Sequence, residues 1–113
     1  MKGYHTYKVC IEACLRCAAM CNHCASMCLQ EEDVKMMARC IQLDMECAAL
    51  CYSAAQLMSL GSDHAQELCR MCAEMCEECA AECAKHDTDH CRECAEMCRD
   101  CAEECTTMAG VKG

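Results

Sequence analysis

The sequence predicts an all-α fold, an antiparallel up-down-up-down four-helix bundle with a Cys-lined core. Three observations carry that prediction. Among 113 residues there is no Pro, no Phe, no Trp and only four Gly, so helix breakers are nearly absent. Cys10, Cys14, Cys17, Cys21, Cys24 and Cys28 follow steps of 4-3-4-3-4, a mean repeat of about 3.5 residues that keeps one stripe of a helix facing its partners. The same kind of stripe then recurs three more times with short polar breaks between, which implies antiparallel neighbours. The length suits one domain, taken as residues 1–113.

In chain order, helix 1 is expected over about residues 6–30, with Thr6 as a candidate N-cap. Glu31-Glu32-Asp33 interrupts it, and Asp33 is a candidate cap for helix 2, residues 34–60. The seam of helix 2 reads Met37, Cys40, Asp44, Cys47, Cys51, Ala54, Met58, so thiols share it with other residues. Gly61 suits a helix end, and Ser62 or Asp63 the start of helix 3. Helix 3, residues 63–85, carries Cys69, Cys72, Cys76, Cys79 and Cys83. After the polar hinge His86-Asp87-Thr88-Asp89-His90, helix 4, residues 89–108, carries Cys91, Cys94, Cys98, Cys101 and Cys105, with Met108 continuing the register. Antiparallel packing would gather Cys28, Met36 or Met37, Cys83, His86, His90 and Cys91 at one end. Tyr7, Cys10, Met58, Cys69, Cys105 and Met108 would meet at the other.

Leu, Ile and Val together number only twelve, against 19 Cys and 11 Met. A core so poor in branched aliphatics gains little from burial, at about 25 cal/mol per Å² of apolar surface. Metal binding can supply the missing stability directly. The net charge of −9 is lopsided: residues 1–60 carry five basic against six acidic groups, residues 61–113 five against thirteen. That surface disfavours nucleic acid and anionic membranes as partners; solubility is its ordinary explanation. The stretch Met1–Lys8 has no apolar core or cleavage site, and no apolar run reaches membrane length. The expected location is therefore cytoplasmic, where thiols stay reduced. An odd number of cysteines also excludes a fully paired disulfide monomer.

Residues three or four apart on a helix lie about 5–6 Å apart at Cβ. Each Cys-x-x-x-Cys pair, from Cys10/Cys14 to Cys101/Cys105, is thus a potential two-sulfur chelate, and facing helices add further sulfurs at each level. Soft thiolates select Cu(I), Zn(II) or iron–sulfur clusters. Structural zinc and iron–sulfur clusters use closed four-ligand sets, and an unbroken register marks out no such set. Cu(I) tolerates two or three sulfurs and bridging. One Cu(I) per thiolate also keeps the core neutral, which avoids the cost of buried charge and sets a ceiling of about one ion per Cys. Many Cu(I) ions held this way amount to storage rather than one cofactor. Zinc or iron–sulfur binding on the same scaffold, and a thiol-disulfide redox role for the Cys-x-x-Cys pairs, are the alternatives. No catalytic residues are expected.

Three residues beside the thiols are candidates too. Asp44 is a carboxylate on a buried seam, so it must pair, cap or ligate. His86 and His90 flank the ends of two ladders and could take metal at the mouth of the tube; an ordinary solvated loop is the competing reading. Met37, Met58 and Met108 are read as plugs rather than thioether ligands.

The chain resembles the cytosolic bacterial copper storage proteins, which are Cys-rich four-helix bundles. The resemblance spans nearly its whole length. It rests on Cys10-Ile11-Glu12-Ala13-Cys14 through Cys21-Asn22-His23-Cys24, on Cys40-Ile41-Gln42-Leu43-Asp44 with Glu46-Cys47-Ala48, and on Cys83-Ala84-Lys85-His86-Asp87-Thr88-Asp89-His90-Cys91. It implies a homotetramer of bundles, each storing multiple Cu(I) ions on its Cys thiolates. It also implies that Asp44, His86 and His90 sit near bound copper.

Overall fold

The structure, a computed structural model, describes residues 3–110. Four α-helices follow one another: α1 (Lys8–Cys28), α2 (Ala38–Leu60), α3 (Ala65–Cys83) and α4 (Asp89–Ala109). Among the described residues there is no strand. Helix α1 packs against α2 and α4, and α3 packs against α2 and α4, the ring order of an up-down-up-down bundle. The outcome is a rod of 50 × 18 × 18 Å whose interior is the four seams.

The helix ends differ from the sequence expectation in instructive ways. Helix α1 begins at Lys8 after Tyr7, with no side-chain cap, so Thr6 does not serve as one. Asp33 likewise makes no capping bond. It precedes a turn of 3₁₀ helix, Val34–Met37, that leads into α2. That tighter turn brings Met37 inside while leaving Met36 exposed. Helix α3 starts at Ala65 with His64 at the cap position, and the Ser62 hydroxyl instead accepts a bond from the His64 N–H at 3.1 Å.

Two ends are chemically well defined. Gly61, at φ 68°, adopts the left-handed conformation that closes α2. The Ser62 N–H reaches the Leu57 carbonyl and the Gly61 N–H the Met58 carbonyl. This paired closure satisfies carbonyls the helix would otherwise orphan. At the start of α4, Thr88 Oγ1 accepts the Cys91 N–H at 3.1 Å. The hinge therefore ends in a true N-cap.

Every cysteine lies in the core. Ala18, Ala48, Ala73, Ala80, Ala95 and Ala102 lie beside them, also buried. Small side chains at these flanking positions let the helices approach closely. The few larger apolar groups, Ile11, Leu43, Met58 and Tyr7, close the remaining space. Leu43 and Met37 lie on α2 and its lead-in turn. Tyr7, Ile11 and Met58 lie toward the end where α1 begins and α2 finishes.

Candidate metal centre

All 19 cysteines are buried free thiols. The heptad register puts each on the inner stripe of its helix, and antiparallel packing brings sulfurs from different helices to the same level. At one end Cys10 Sγ lies 3.9 Å from Cys105 Sγ, and Cys14 lies 3.5 Å from it. Further in, Cys101 contacts Cys14 at 3.8 Å and Cys51 at 3.9 Å, while Cys51 contacts Cys72 at 3.6 Å. At mid-bundle Cys76 is 3.6 Å from Cys47 and 4.0 Å from Cys17. Cys98 is 3.8 Å from Cys17 and 3.7 Å from Cys21. Toward the hinge, Cys94 is 3.8 Å from Cys21, Cys40 is 3.6 Å from Cys83, and Cys28 is 3.8 Å from Cys91. Cys24 joins Cys28 and Cys91 at 3.9 Å. Cys69, beside Cys10, completes the far end.

These separations match what one ion can span. Two sulfurs on opposite sides of an ion, each bonded at about 2.3 Å as in zinc thiolates, stand about 4.6 Å apart, and three in a plane about 4.0 Å apart. Sets of four thiols lie within 4.8 Å of one another, among them Cys14, Cys72, Cys101, Cys105 and Cys24, Cys28, Cys40, Cys91. Consecutive sets share members: Cys17, Cys51, Cys76, Cys101 and Cys17, Cys21, Cys47, Cys98 have Cys17 in common, and Cys21 and Cys98 recur with Cys79 and Cys94. Sharing is the geometric requirement for bridging thiolates, and isolated four-ligand sites do not need it.

Burial pushes the Cys28 and Cys91 thiols up from their ordinary pKa. Without metal such thiols keep their protons. A cation that replaces the proton leaves no net charge in the low-dielectric core, so loading releases protons.

Asp44 is wholly buried among these sulfurs. Its Oδ1 accepts from Cys79 at 3.2 Å, Cys94 at 3.3 Å and Cys83 at 3.6 Å, and its Oδ2 lies 3.9 Å from Cys40. Burial first, then the neighbouring Cys83, pushes this carboxyl up to about 8. The seam carboxylate thus pairs with thiols from α2, α3 and α4.

The two hinge histidines have different surroundings. His86 Nε2 lies 2.9 Å from Glu82 Oε2, in the last turn of α3, and Glu82 also pairs with Lys85 at 3.3 Å. The His86 bond holds the Glu82 carboxyl below its usual range. His90 is buried at the start of α4, next to Cys91. Its Nε2 is 3.6 Å from Glu31 Oε1 and has no hydrogen-bond partner. His86 lines an open cleft of about 350 Å³ together with Glu31, Glu32, Asp33, Met36 and Asp87. Sequence reading missed Glu82 and Glu31. Glu82 was within reach, since it stands four residues before His86 on one helix face. Glu31 was not, because its partner is 59 residues away in sequence.

Comparison with known proteins places this architecture. The family model described as copper storage protein matches residues 4–110. The cysteine-rich protein YhjQ of Bacillus subtilis (strain 168) is 47% identical over 83 residues, which is 74% of this chain and 77% of that one. The Cu(I)-bound structure of the copper storage protein BsCsp3 superposes with a TM-score of 0.88 at 47% identity, covering 91% of this chain and 97% of its own. A cytosolic copper storage protein from Streptomyces lividans, carrying five coppers, superposes with a TM-score of 0.90 at 40% identity over 95% and 94% of the two chains. The fold, the sulfur-lined core and these matches lead to one assignment: the chain belongs to the copper storage protein family.

Proposed function

We propose that this protein stores Cu(I), holding multiple ions on the thiolates of its bundle core and catalysing no reaction of its own. The observation that carries the reading is the run of sulfur contacts from Cys10–Cys105 at one end to Cys94, joined through the Asp44 carboxyl to Cys40–Cys83 and followed by the Cys24–Cys28–Cys91 group at the other end. Shared thiols within bridging distance suit a soft monovalent ion that accepts two or three sulfurs. All 19 cysteines are proposed as ligands, with Asp44 as a neighbour of the metal in the core and His86 and His90 at the mouth. Cargo neutralises one thiolate charge per ion, so capacity tends toward about one Cu(I) per Cys.

The decisive experiment is anaerobic titration of the reduced protein with Cu(I) against a competing chelator. Storage requires many ions per chain and clear preference over Zn(II). Saturation after one or a few ions would leave the storage reading without support. A thiol-disulfide protein would instead show one rapidly reacting Cys pair.

The location proposed is the cytoplasm, in keeping with the cytosolic relative from Streptomyces lividans; no helix among the described residues is long and apolar enough to cross a membrane. We further propose a homotetramer, and no nucleic-acid or membrane partner. Val9, Leu15, Met45 and Tyr52 are exposed on α1 and α2. These helices lie in the near-neutral part of the chain, whereas residues 61–113 carry the acidic excess. Copies meeting through α1 and α2 therefore escape most like-charge repulsion. Light scattering would read a tetramer, with Met45→Glu shifting it toward smaller species; a monomer at all concentrations refutes the arrangement.

A further inference from the structure

We propose that the end of the bundle opposite the hinge is a second exchange port for Cu(I), gated by the segment Gly3–Tyr7, through which a small thiol reaches Cys10, Cys69 and Cys105. Of the 19 cysteines, only Cys10, at 2%, and Cys69, at 1%, have measurable exposure. At the hinge end Cys28, Cys40, Cys83 and Cys91 have none. Copper leaves a thiolate by ligand exchange, so an incoming ligand must first touch sulfur. Cys10 lies beside Cys69 and 3.9 Å from Cys105. Cys105 is in turn 3.5 Å from Cys14, which joins this outermost layer of sulfur to the next.

The cover over this layer is Tyr7, buried three residues before Cys10 and so one turn farther out on the same stripe. Its N–H is held by the Gly3 carbonyl at 3.1 Å. Gly3 sits close against the end of α2, where a Cβ would meet the Ser59 carbonyl oxygen at 3.2 Å. The segment is thus seated on α2 at one end and runs into the start of α1 at the other. Both helices that begin here, α1 and α3, do so without a side-chain cap. Gln66, in the first turn of α3, also keeps a buried amide nitrogen with no partner. Uncapped first turns and unpaired polar atoms are where a helical protein opens locally at least cost. The start of α4 at the hinge is built the other way, with Thr88 capping it. When the cover lifts, the sulfur of a small thiol bonds to a Cu(I) ion held on Cys10. The bond from copper to Cys10 Sγ then breaks, and the thiol's proton passes to the released Cys10 sulfur, with no change in oxidation state. The proposal deepens the storage reading and rests on it for this copper step alone.

The first half of the test needs no copper. Reduced, copper-free protein is treated anaerobically with limiting N-ethylmaleimide, and the labelled peptides are read by mass spectrometry. We expect Cys10 and Cys69 to be labelled before Cys28, Cys83 and Cys91. Tyr7→Ala and Gly3→Val each speed labelling of Cys10 and Cys69 at least about fivefold and leave the hinge-end thiols at their original rate, which a general loss of stability would not do. The second half fills the protein with Cu(I), records its capacity, and follows release to excess glutathione with a chromogenic Cu(I) chelator as final acceptor. A failure of storage shows in the capacity, before any release is timed. We expect release from Tyr7→Ala to be at least about fivefold faster at unchanged capacity, and the gain to persist when His86 and His90 are both Ala. Labelling that is uniform or begins at the hinge end, or unchanged copper release in Tyr7→Ala, overturns the proposal.

Discussion

Asp44 Oδ1 lies 3.3 Å from Cys94 Sγ, and the same oxygen takes the Cys79 and Cys83 thiols from the facing helix. One carboxyl therefore ties α2 to both α3 and α4 inside a sulfur core. Its burial raises its pKa from 3.8 to about 8. The unfolded chain gives up that proton near the ordinary value, while the folded copper-free protein keeps it until about 8. Between those limits the folded state binds the extra proton, so this contribution to stability is full at acid pH and lost as pH rises. The slope cannot exceed about 1.4 kcal/mol per pH unit for one group. The urea midpoint of reduced, copper-free protein should fall between about pH 5 and pH 8, and Asp44→Asn should flatten the trend. Identical trends in the two proteins would refute this role.

His86 lines the acidic cleft at the hinge end of the bundle, and His90 is buried next to Cys91 at the same end. Replacing both with Ala should slow copper loading or removal while leaving capacity nearly intact, because the sulfur sets remain. Stopped-flow transfer from a Cu(I) chelator reads the rate, and equilibrium titration reads the capacity. Unchanged rates count against a mouth at this end.

Met58 is fully buried on the α2 seam, near its end. As a plug, it contributes packing alone, so Met58→Ala should destabilise the copper-free protein by about 2–5 kcal/mol. Copper capacity should stay the same. A drop of one ion per chain would make the thioether a ligand instead.

Thr88 caps α4 through the Cys91 N–H. Thr88→Ala should cost about 1 kcal/mol in chemical denaturation, and Thr88→Ser should recover most of it. Loss of the cap frees the first turn of α4, which carries His90 and Cys91.

Cargo that binds only the folded state adds to its stability by mass action. Stripping Cu(I) with a high-affinity chelator under reducing conditions should lower Tm, and reloading should restore it. A core with so few Leu, Ile and Val should show a large difference. Equal Tm values with and without copper would mean that the apolar contacts alone hold the bundle.

Much of this was legible in the chain. Steps of three and four identify the inner stripe without reference to partners, and the polar breaks at Glu31-Glu32-Asp33, Ser62-Asp63 and His86–His90 mark the reversals. The position of Asp44 on a buried seam already demanded a partner. The helix starts were less legible. Thr6 and Asp33 have capping chemistry but make no capping bond, because a side chain caps only if the incoming backbone aims its oxygen at the free N–H groups. Thr88, at φ −132° and ψ 153°, has that extended entry.

The sequence by itself determined which residues face inward, since the heptad period is a property of each helix alone. It also determined that the core would be sulfur, because no other residue type fills those positions so often. Only the tertiary structure decided which thiols meet. Cys14 finds Cys105 and Cys47 finds Cys76 because the helices run antiparallel at a particular axial offset, and that offset is set by packing across the whole bundle. The same offset places Glu31 beside His90 and Asp44 among Cys79, Cys83 and Cys94. Local periodicity fixes direction, whereas distance between chain-remote groups depends on how all four helices settle together.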